Sequence, residues 1–269
     1  MSDLPAHISI WAELADVDHQ LGHVDVGGVR TRVLRAGSGP DLVLLHGTGG
    51  HLEAYARDIA GLARDFSVTA YDMVGHGWSD LPDRPYTVDV LSEHLLGVMD
   101  ALGIDRAHLS GESLGGWVAA WTAAHAPDRV DRLVLNTPGN IANKPEVMAR
   151  LRASTLAAVT EPDDAHVRPR VQWLFHDTSM ATDELVDLRR TVYSRPGFLT
   201  AVHNILVLQD PETRQDYSWD PSWVGSVKAP TMLLWTDHDP TGGLDEADLL
   251  LDWLPDARLF VIELSLIHI

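Results

Sequence analysis

Short apolar runs that take turns with segments of helical spacing limit this chain more than any other feature. Asp41–Leu45, Phe66–Tyr71, Ala107–Ser110 and Val130–Leu135 are too short for helices, and Asp41–Leu45 is almost unbroken in its apolarity. A strand with one wet face alternates; an unbroken run fits a strand covered on both faces, as in a parallel sheet. Glu53–Arg64, Thr87–Leu102 and Leu114–Ala126 lie between or after these runs and have helical periodicity. The alternation predicts an α/β fold, a mostly parallel sheet with helices on both faces. Upstream, His23–Val26 and Arg30–Arg35 flank Gly27-Gly28 and read as a hairpin. The rhythm breaks at Gly139. As far as about Gln209 there are helix-like pieces (Pro145–Val159, Val167–Phe175, Asp183–Tyr193) and no strong strand, and then Thr231–Trp235, Glu246–Trp253 and Arg258–Ile262 restore it. The expected organisation is a core of residues 1–138 and 210–269 with a helical lid, 139–209, inserted. Ligand pockets favour such junctions.

Composition narrows the function. The 269 residues suit one large domain with an ample core. Twenty basic residues against 39 acidic ones give −19, and only two of the basic residues are lysine. Such a surface repels phosphate backbones and anionic membranes, so nucleic acid and lipid surfaces are excluded as expected partners. The absence of cysteine excludes disulfides, thiolate metal sites and a cysteine nucleophile. No stretch is long and apolar enough to span a bilayer. The N-terminal MSDLPAHISIWAELADVDHQ is acidic and lacks the basic-plus-apolar start of a signal peptide, so a cytoplasmic location is expected.

The chemistry centres on Gly111-Glu112-Ser113-Leu114-Gly115. This G-x-S-x-G string follows the strand Ala107–Ser110 and precedes a helix. That context separates a nucleophile elbow from an ordinary Gly/Ser turn. The turn lifts the Ser113 hydroxyl above the sheet, at a helix N-terminus whose amides favour developing negative charge. His46-Gly47-Thr48-Gly49-Gly50 follows the strand Asp41–Leu45. A turn of this kind supplies the second oxyanion amide, so the hole is assigned to the backbone N–H groups of Thr48 and Leu114. Gly47 and Gly49 become candidates for contact with substrate. A dinucleotide loop would need a third glycine where Leu52 stands. His46 precedes the turn and reads as structural. In the loop Asp72–Asp80, His76 reads as a packing residue.

A hydroxyl nucleophile needs a base, and the base an orienting acid, in the chain order Ser, acid, His. The acid belongs just past a late strand, where Leu233-Leu234-Trp235-Thr236-Asp237-His238-Asp239-Pro240 offers Asp239, with Asp237 as the alternative. Asp237, Asp239, Thr241, Gly242 and Asp248 nearly make a calcium loop, but the terminal Glu and an entering helix are missing, and no metal is expected. Only one histidine, His268, follows Asp239. Its spacing suits a base; its setting, the apolar Glu263–Ile269, does not.

Together the stretches HGTGGHLEAYARDI, YDMVGHGWSD, SGESLGGW, LVLNTPG and LLWTDHDPT resemble the α/β-hydrolase superfamily over essentially the whole chain. The nearest resemblance is to meta-cleavage product hydrolases, which hydrolyse a C–C bond of 2-hydroxy-6-oxo-hexa-2,4-dienoates in aromatic degradation. Thr182–Arg189 resembles the lid segment whose arginine binds the dienoate carboxylate, which carries that role onto Arg189. A planar guanidinium suits it. A solvated helix arginine, like its neighbour Arg190, is the other reading. The resemblance implies no cofactor, a small-molecule carboxylate substrate and self-association into a homo-oligomer. Many such hydrolases have Asn where this chain has Glu112, and another pocket Asn falls near Glu53-Ala54. Their tail would run V-I-E-x-x-G-H-W and put His at position 267, where this chain has Ile267. The LSLIHI ending resembles translated sequencing-adapter read-through, so a foreign tail from about Leu264, with the true base and closing helix missing, is the expectation. The implied activity is serine-dependent C–C hydrolysis. A carboxylesterase using the same machinery and a non-catalytic ligand binder are the alternatives.

Overall fold

The computed structural model describes residues 9–142, 144–237, 239 and 241–262. His268 and the tail from Leu264 lie outside the described residues. Among these residues one eight-stranded sheet runs through the molecule in the order β1-β2-β4-β3-β5-β6-β7-β8. Its strands are β1 His19–Val26, β2 Val29–Ala36, β3 Asp41–Leu45, β4 Ser67–Tyr71, β5 Ala107–Glu112, β6 Val130–Asn136, β7 Thr231–Thr236 and β8 Ala257–Ile262. The hairpin β1/β2 and the pair β2/β4 are antiparallel; from β4 to β8 every pairing is parallel. The helices are α1 Ala56–Leu62, α2 Val88–Ala101, α3 Leu114–His125, α4 Pro145–Thr160, α5 Asp164–Gln172, α6 Asp183–Tyr193, α7 Phe198–Ile205, the short α8 Pro211–Gln215 and α9 Pro221–Val224, and α10 Leu244–Trp253.

Both faces of the sheet are covered, as the apolar runs demand. Along β3, Val43 and Leu45 join the core that contains α2 and α3, while Leu42 and Leu44 join a second core with Ile59 of α1. After β3 the chain steps outward to β4, then returns to β5 on the other flank of β3. That reversal leaves the loops after β3 and β5 side by side at the carboxyl edge, where open α/β sheets bind ligands.

Between β6 and β7 the chain is helical. α4 packs on α5, α6 and α7, and α6 on α5 and α7. Helix α6 has the expected bounds: Thr182 caps it by accepting from Leu185 N, and Asp183 and Glu184 fill its first turn. Helix α5 starts at Asp164, earlier than its apolar residues suggest, because Asp163 caps it through His166 N. Helix α7 was not anticipated. It opens at Gly197, whose φ of 83° places it in the left-handed region that favours glycine.

Candidate active site

Ser113 stands between β5 and α3 with φ 51° and ψ −114°, a conformation that costs an L-residue about 1–3 kcal/mol. Its neighbours hold it there. Ser113 N donates to Asn136 O at 3.0 Å, and its carbonyl accepts from Trp117 N at 3.1 Å and Gly139 N at 2.9 Å. The flanking glycines permit the close passage of α3 over the sheet end. A Cβ on Gly111 would lie 2.2 Å from Gly115 O, and one on Gly115 would lie 2.1 Å from Leu45 O. The two loops therefore touch backbone to backbone.

The neighbouring turn is closed by Gly50 N donating to Gly47 O at 3.0 Å. A Cβ on Gly47 would stand 3.4 Å from Ser113 Cβ and 3.2 Å from Glu112 Oε1. Thr48, Ser113 and Leu114 border one pocket, with about 980 Å³ of empty space when its open mouth is included. Leu114 is the first residue of α3, where an N–H has no carbonyl one turn back. The two amides assigned to an oxyanion hole thus flank the Ser113 hydroxyl's pocket.

The histidines near the turn, His46 and His76, are buried and contact main chain. His46 is fully buried; its Nδ1 lies 2.9 Å from Gly47 O, and its Nε2 accepts from Met73 N at 3.1 Å. Burial holds its pKa well below the ordinary value. His76 Nδ1 lies 3.0 Å from Val74 O, and burial takes its pKa down to about 4. The Asp72–Asp80 loop is more than a glycine-rich connection. Asp72 accepts from Leu52 N and Trp78 N, both at 2.7 Å, and pins the loop after β4 to the one after β3.

Glu53 belongs to the same buried scaffold. It accepts from Arg32 Nη2 at 2.6 Å and pairs with His51 Nδ1 at 2.8 Å. Burial alone would raise its pKa, but His51 and Arg32 pull it to about 2. Ala54, its neighbour, lines the pocket. The polar position expected near Glu53-Ala54 is therefore apolar where it meets the cavity. Glu112 also lines the pocket, and burial pushes its carboxyl up to about 8 against the pull of Arg189.

The two acid candidates separate. Asp237 is exposed beside the end of β7. Asp239 turns inward: its Oδ1 accepts from Thr241 N and Thr241 Oγ1 at 2.6 Å and from Gly242 N at 3.1 Å. Its Oδ2 is buried without a hydrogen-bond partner among the described residues. One oxygen fixes the carboxylate and the other is left for a donor. Thr241 and Gly242 line the pocket, as does Trp235.

Arg189 settles against the solvated reading. It is 7% exposed and donates from Nη1 to Gly49 O at 2.8 Å and to Tyr193 Oη at 3.3 Å. Arg190 is the solvent-facing one, paired with Asp187 at 2.9 Å. Gly49, with φ 67°, has Tyr193 Oη 3.2 Å from where a Cβ would be. A second guanidinium, Arg170 of α5, also lines the pocket and is buried. Sequence reasoning did not single it out. Trp117, Trp173, Leu174, Ile205 and Leu208 supply an apolar wall. An anchored hydroxyl, two amides, a poised carboxylate and buried guanidinium groups around an apolar cavity can bind an organic anion and attack a carbonyl.

Comparison with known proteins agrees with this geometry. Residues 40–265 match the α/β hydrolase fold family. A 2-hydroxymuconate semialdehyde hydrolase from Pseudomonas sp. (strain CF600) is 31% identical over 244 residues, 87% of this chain and 82% of the relative. A 2-hydroxy-6-oxo-2,4-heptadienoate hydrolase from Pseudomonas putida is 35% identical over 193 residues, 70% of this chain and 68% of the relative. Among solved structures, a meta-cleavage product hydrolase from Pseudomonas fluorescens IP01, a mutant complexed with acetates, superposes with TM-score 0.79 at 28% identity, covering 90% of this chain and 89% of that one. A 2-hydroxy-6-oxo-6-phenylhexa-2,4-dienoate hydrolase from Rhodococcus sp. strain RHA1 superposes with TM-score 0.77 at 25% identity, covering 93% and 92%.

Proposed function

The chain belongs to the α/β-hydrolase fold family, and on that premise we propose that it hydrolyses a carbon–carbon bond of a 2-hydroxy-6-oxo-2,4-dienoate, a ring-fission product of aromatic degradation. The observation that carries the reading is that Ser113 and the buried Arg189 line a single cavity. The similarity to hydrolases named for such dienoates supports it. Arg189 takes the substrate carboxylate as a charge-assisted, planar donor. The base draws the dienol proton and returns it to C5, so that the diene ketonises, and then, deprotonated again, assists attack on the 6-oxo carbonyl. Ser113 is the nucleophile, or orients the water that is. The N–H groups of Thr48 and Leu114 hold the developing oxyanion, and Gly47 and Gly49 keep the turn close to the substrate. The C5–C6 bond then breaks with the dienolate as leaving group, and where Ser113 carries the acyl group, water attacks it with the base's help and frees the acid.

Asp239 orients the base through its free Oδ2. His268 is the histidine that follows the acid in the required order, and activity of His268→Ala checks it: a loss of several orders of magnitude supports the role, and unchanged turnover assigns the base elsewhere. Residues 139–209 serve as the lid over residues 1–138 and 210–269. No helix among the described residues is long and apolar enough to cross a membrane. The reading places the enzyme in the cytoplasm, acting on a small carboxylate, without nucleic acid, as a homo-oligomer whose size sedimentation would measure.

The deciding assay offers a ring-fission dienoate and a short aryl ester side by side. Dienoate turnover that Arg189→Ala lowers by about tenfold or more, with ester cleavage spared, supports the proposal. Strong ester turnover with no dienoate activity refutes it in favour of a carboxylesterase. Binding without turnover of either makes the chain a binder.

A further inference from the structure

Two guanidinium groups line the pocket, and neither forms an ion pair among the described residues. Arg170 is the deeper, 3% exposed against 7% for Arg189. Its Nε donates to Thr155 Oγ1 at 3.3 Å, the Trp173 ring centre lies 5.5 Å from its Cζ, and its Nη1 is buried without an acceptor among the described residues. Arg189 Nε is in the same state. The side chains that hold the two arginines meet at one spot. The place a Gly49 Cβ would occupy is 3.2 Å from Tyr193 Oη and 4.0 Å from the Thr155 methyl. Arg189 thus reaches the turn beside Ser113 directly, and Arg170 approaches it through Thr155.

The charged and titratable groups that act on Arg170 are few. Burial weighs against its charge and Arg189 adds repulsion, with Tyr193 and Glu112 acting the other way. Glu112 gives little compensation at neutral pH, because burial lifts its carboxyl to about 8. Two like charges held out of water are costly unless an anion joins them. A lone carboxylate cancels one of them; a ligand with two negative charges on neighbouring carbons cancels both.

Resting on the dienoate reading above, we propose that Arg170 and Arg189 together hold a dianionic head group, a carboxylate beside an ionised enol oxygen, so that Arg170 selects the 2-oxido form of the substrate. Arg189 takes the carboxylate and Arg170 the enolate oxygen. The enol proton passes to the base as the ligand binds, and the base holds it for delivery to C5. Arg170 is a specificity-determining residue in this scheme, because it sets the ionisation state in which the diene enters the reaction.

The test uses the full chain carrying Ser113→Ala, which holds ligand without turning it over. It is titrated with 2-hydroxy-6-oxohepta-2,4-dienoate and with the 2-O-methyl ether, whose oxygen cannot ionise. A dienolate absorbs at longer wavelength than the dienol, so the spectrum of the bound ligand reports its ionisation. Adding Arg170→Met is expected to weaken the dienoate by about tenfold to a hundredfold. It should also return the bound spectrum toward the dienol, and change the ether's affinity by less than about threefold. Arg170→Lys should restore part of both effects. An equal loss for the two ligands, or no loss for either, overturns the assignment. Dienoate binding with a spectrum indifferent to Arg170 removes this inference alone. Failure of the Ser113→Ala chain to bind dienoate, with no turnover by the unmodified chain, removes the dienoate reading as well.

Discussion

The elbow and the helical segment between β6 and β7 build their parts of the pocket by opposite means. At the elbow the backbone does the positioning. Ser113 is wedged by hydrogen bonds on both sides of its peptide, and Gly111 and Gly115 bring main chain against main chain. In the helical segment, long side chains reach in from α5 and α6, and each guanidinium is held by one or two neutral acceptors. The first arrangement tolerates almost no change of volume and stores strain at Ser113. The second is open to substitution and keeps uncompensated charge in a dry place. On the proposed reading, nucleophile geometry belongs to the core, and choice of ligand to the helices.

Substitutions can break or sharpen this contrast. The largest effect is expected from Ser113→Gly. Turnover should fall by about 10⁴- to 10⁶-fold. Stability should rise by about 1 kcal/mol, because glycine accepts the strained backbone without penalty. A parallel urea titration and activity assay would show both signs, and a loss of stability would mean the elbow is unstrained. Gly115→Ala comes next. With Leu45 O 2.1 Å from the new methyl, a cost of about 3 kcal/mol or more in unfolding free energy is expected. A variant that melts like the parent would break the claim that main-chain contact sets the elbow. Arg189→Met should lower kcat/KM for the dienoate by about tenfold to a hundredfold. Its melting temperature should stay level or rise, since a buried charge has been replaced by an apolar group of similar reach.

The smallest effect is in pH dependence. Burial raises the folded-state pKa of Glu112 to about 8 from an ordinary 4.5. Its contribution to stability is therefore complete below about pH 4.5 and lost as the pH rises through about 8. Glu112→Gln should flatten the decline in urea midpoint between those limits. Glu53 has the opposite sign: held near 2, it contributes above about pH 4.5 and loses that contribution as the pH falls toward 2. The two acids can thus be told apart by the side of about pH 4.5 on which each is felt.

The strands were legible because apolar continuity reports burial on both faces; β3 spans the very residues of its apolar run, Asp41–Leu45. Helix α6 was legible from its cap, its acidic first turn and its period. Helix α7 was not, since it is short and enters through a left-handed Gly197 after Arg195-Pro196. The site divides in the same way. Ser113, Thr48 and Leu114 follow from local turn chemistry, and Asp239 from its place past a strand. Arg170 could not be read: it lies in the polar run Asp164–Gln172 beside Pro169, two residues from Arg168. Arg168 faces solvent and pairs with Asp164 and Asp183, while Arg170 is buried. Only the packing of α4 and α6 on α5 separates them. The buried pair Arg32–Glu53 was hidden for the same reason, because a charge in a strand normally marks a wet face.

The hydrogen bond from Arg189 to Gly49 joins positions 140 residues apart. Nothing local can form it, and the intervening chain must be ordered before it gains anything from the contact. The hairpin β1/β2 and the neighbouring strands have much shorter loops to close. In a refolding experiment the sheet can regain its circular dichroism while the arginine-lined end of the pocket is still unassembled. Recovery of ligand affinity would then lag behind recovery of secondary structure, and a ligand present from the start would act late, on the docking of the helices.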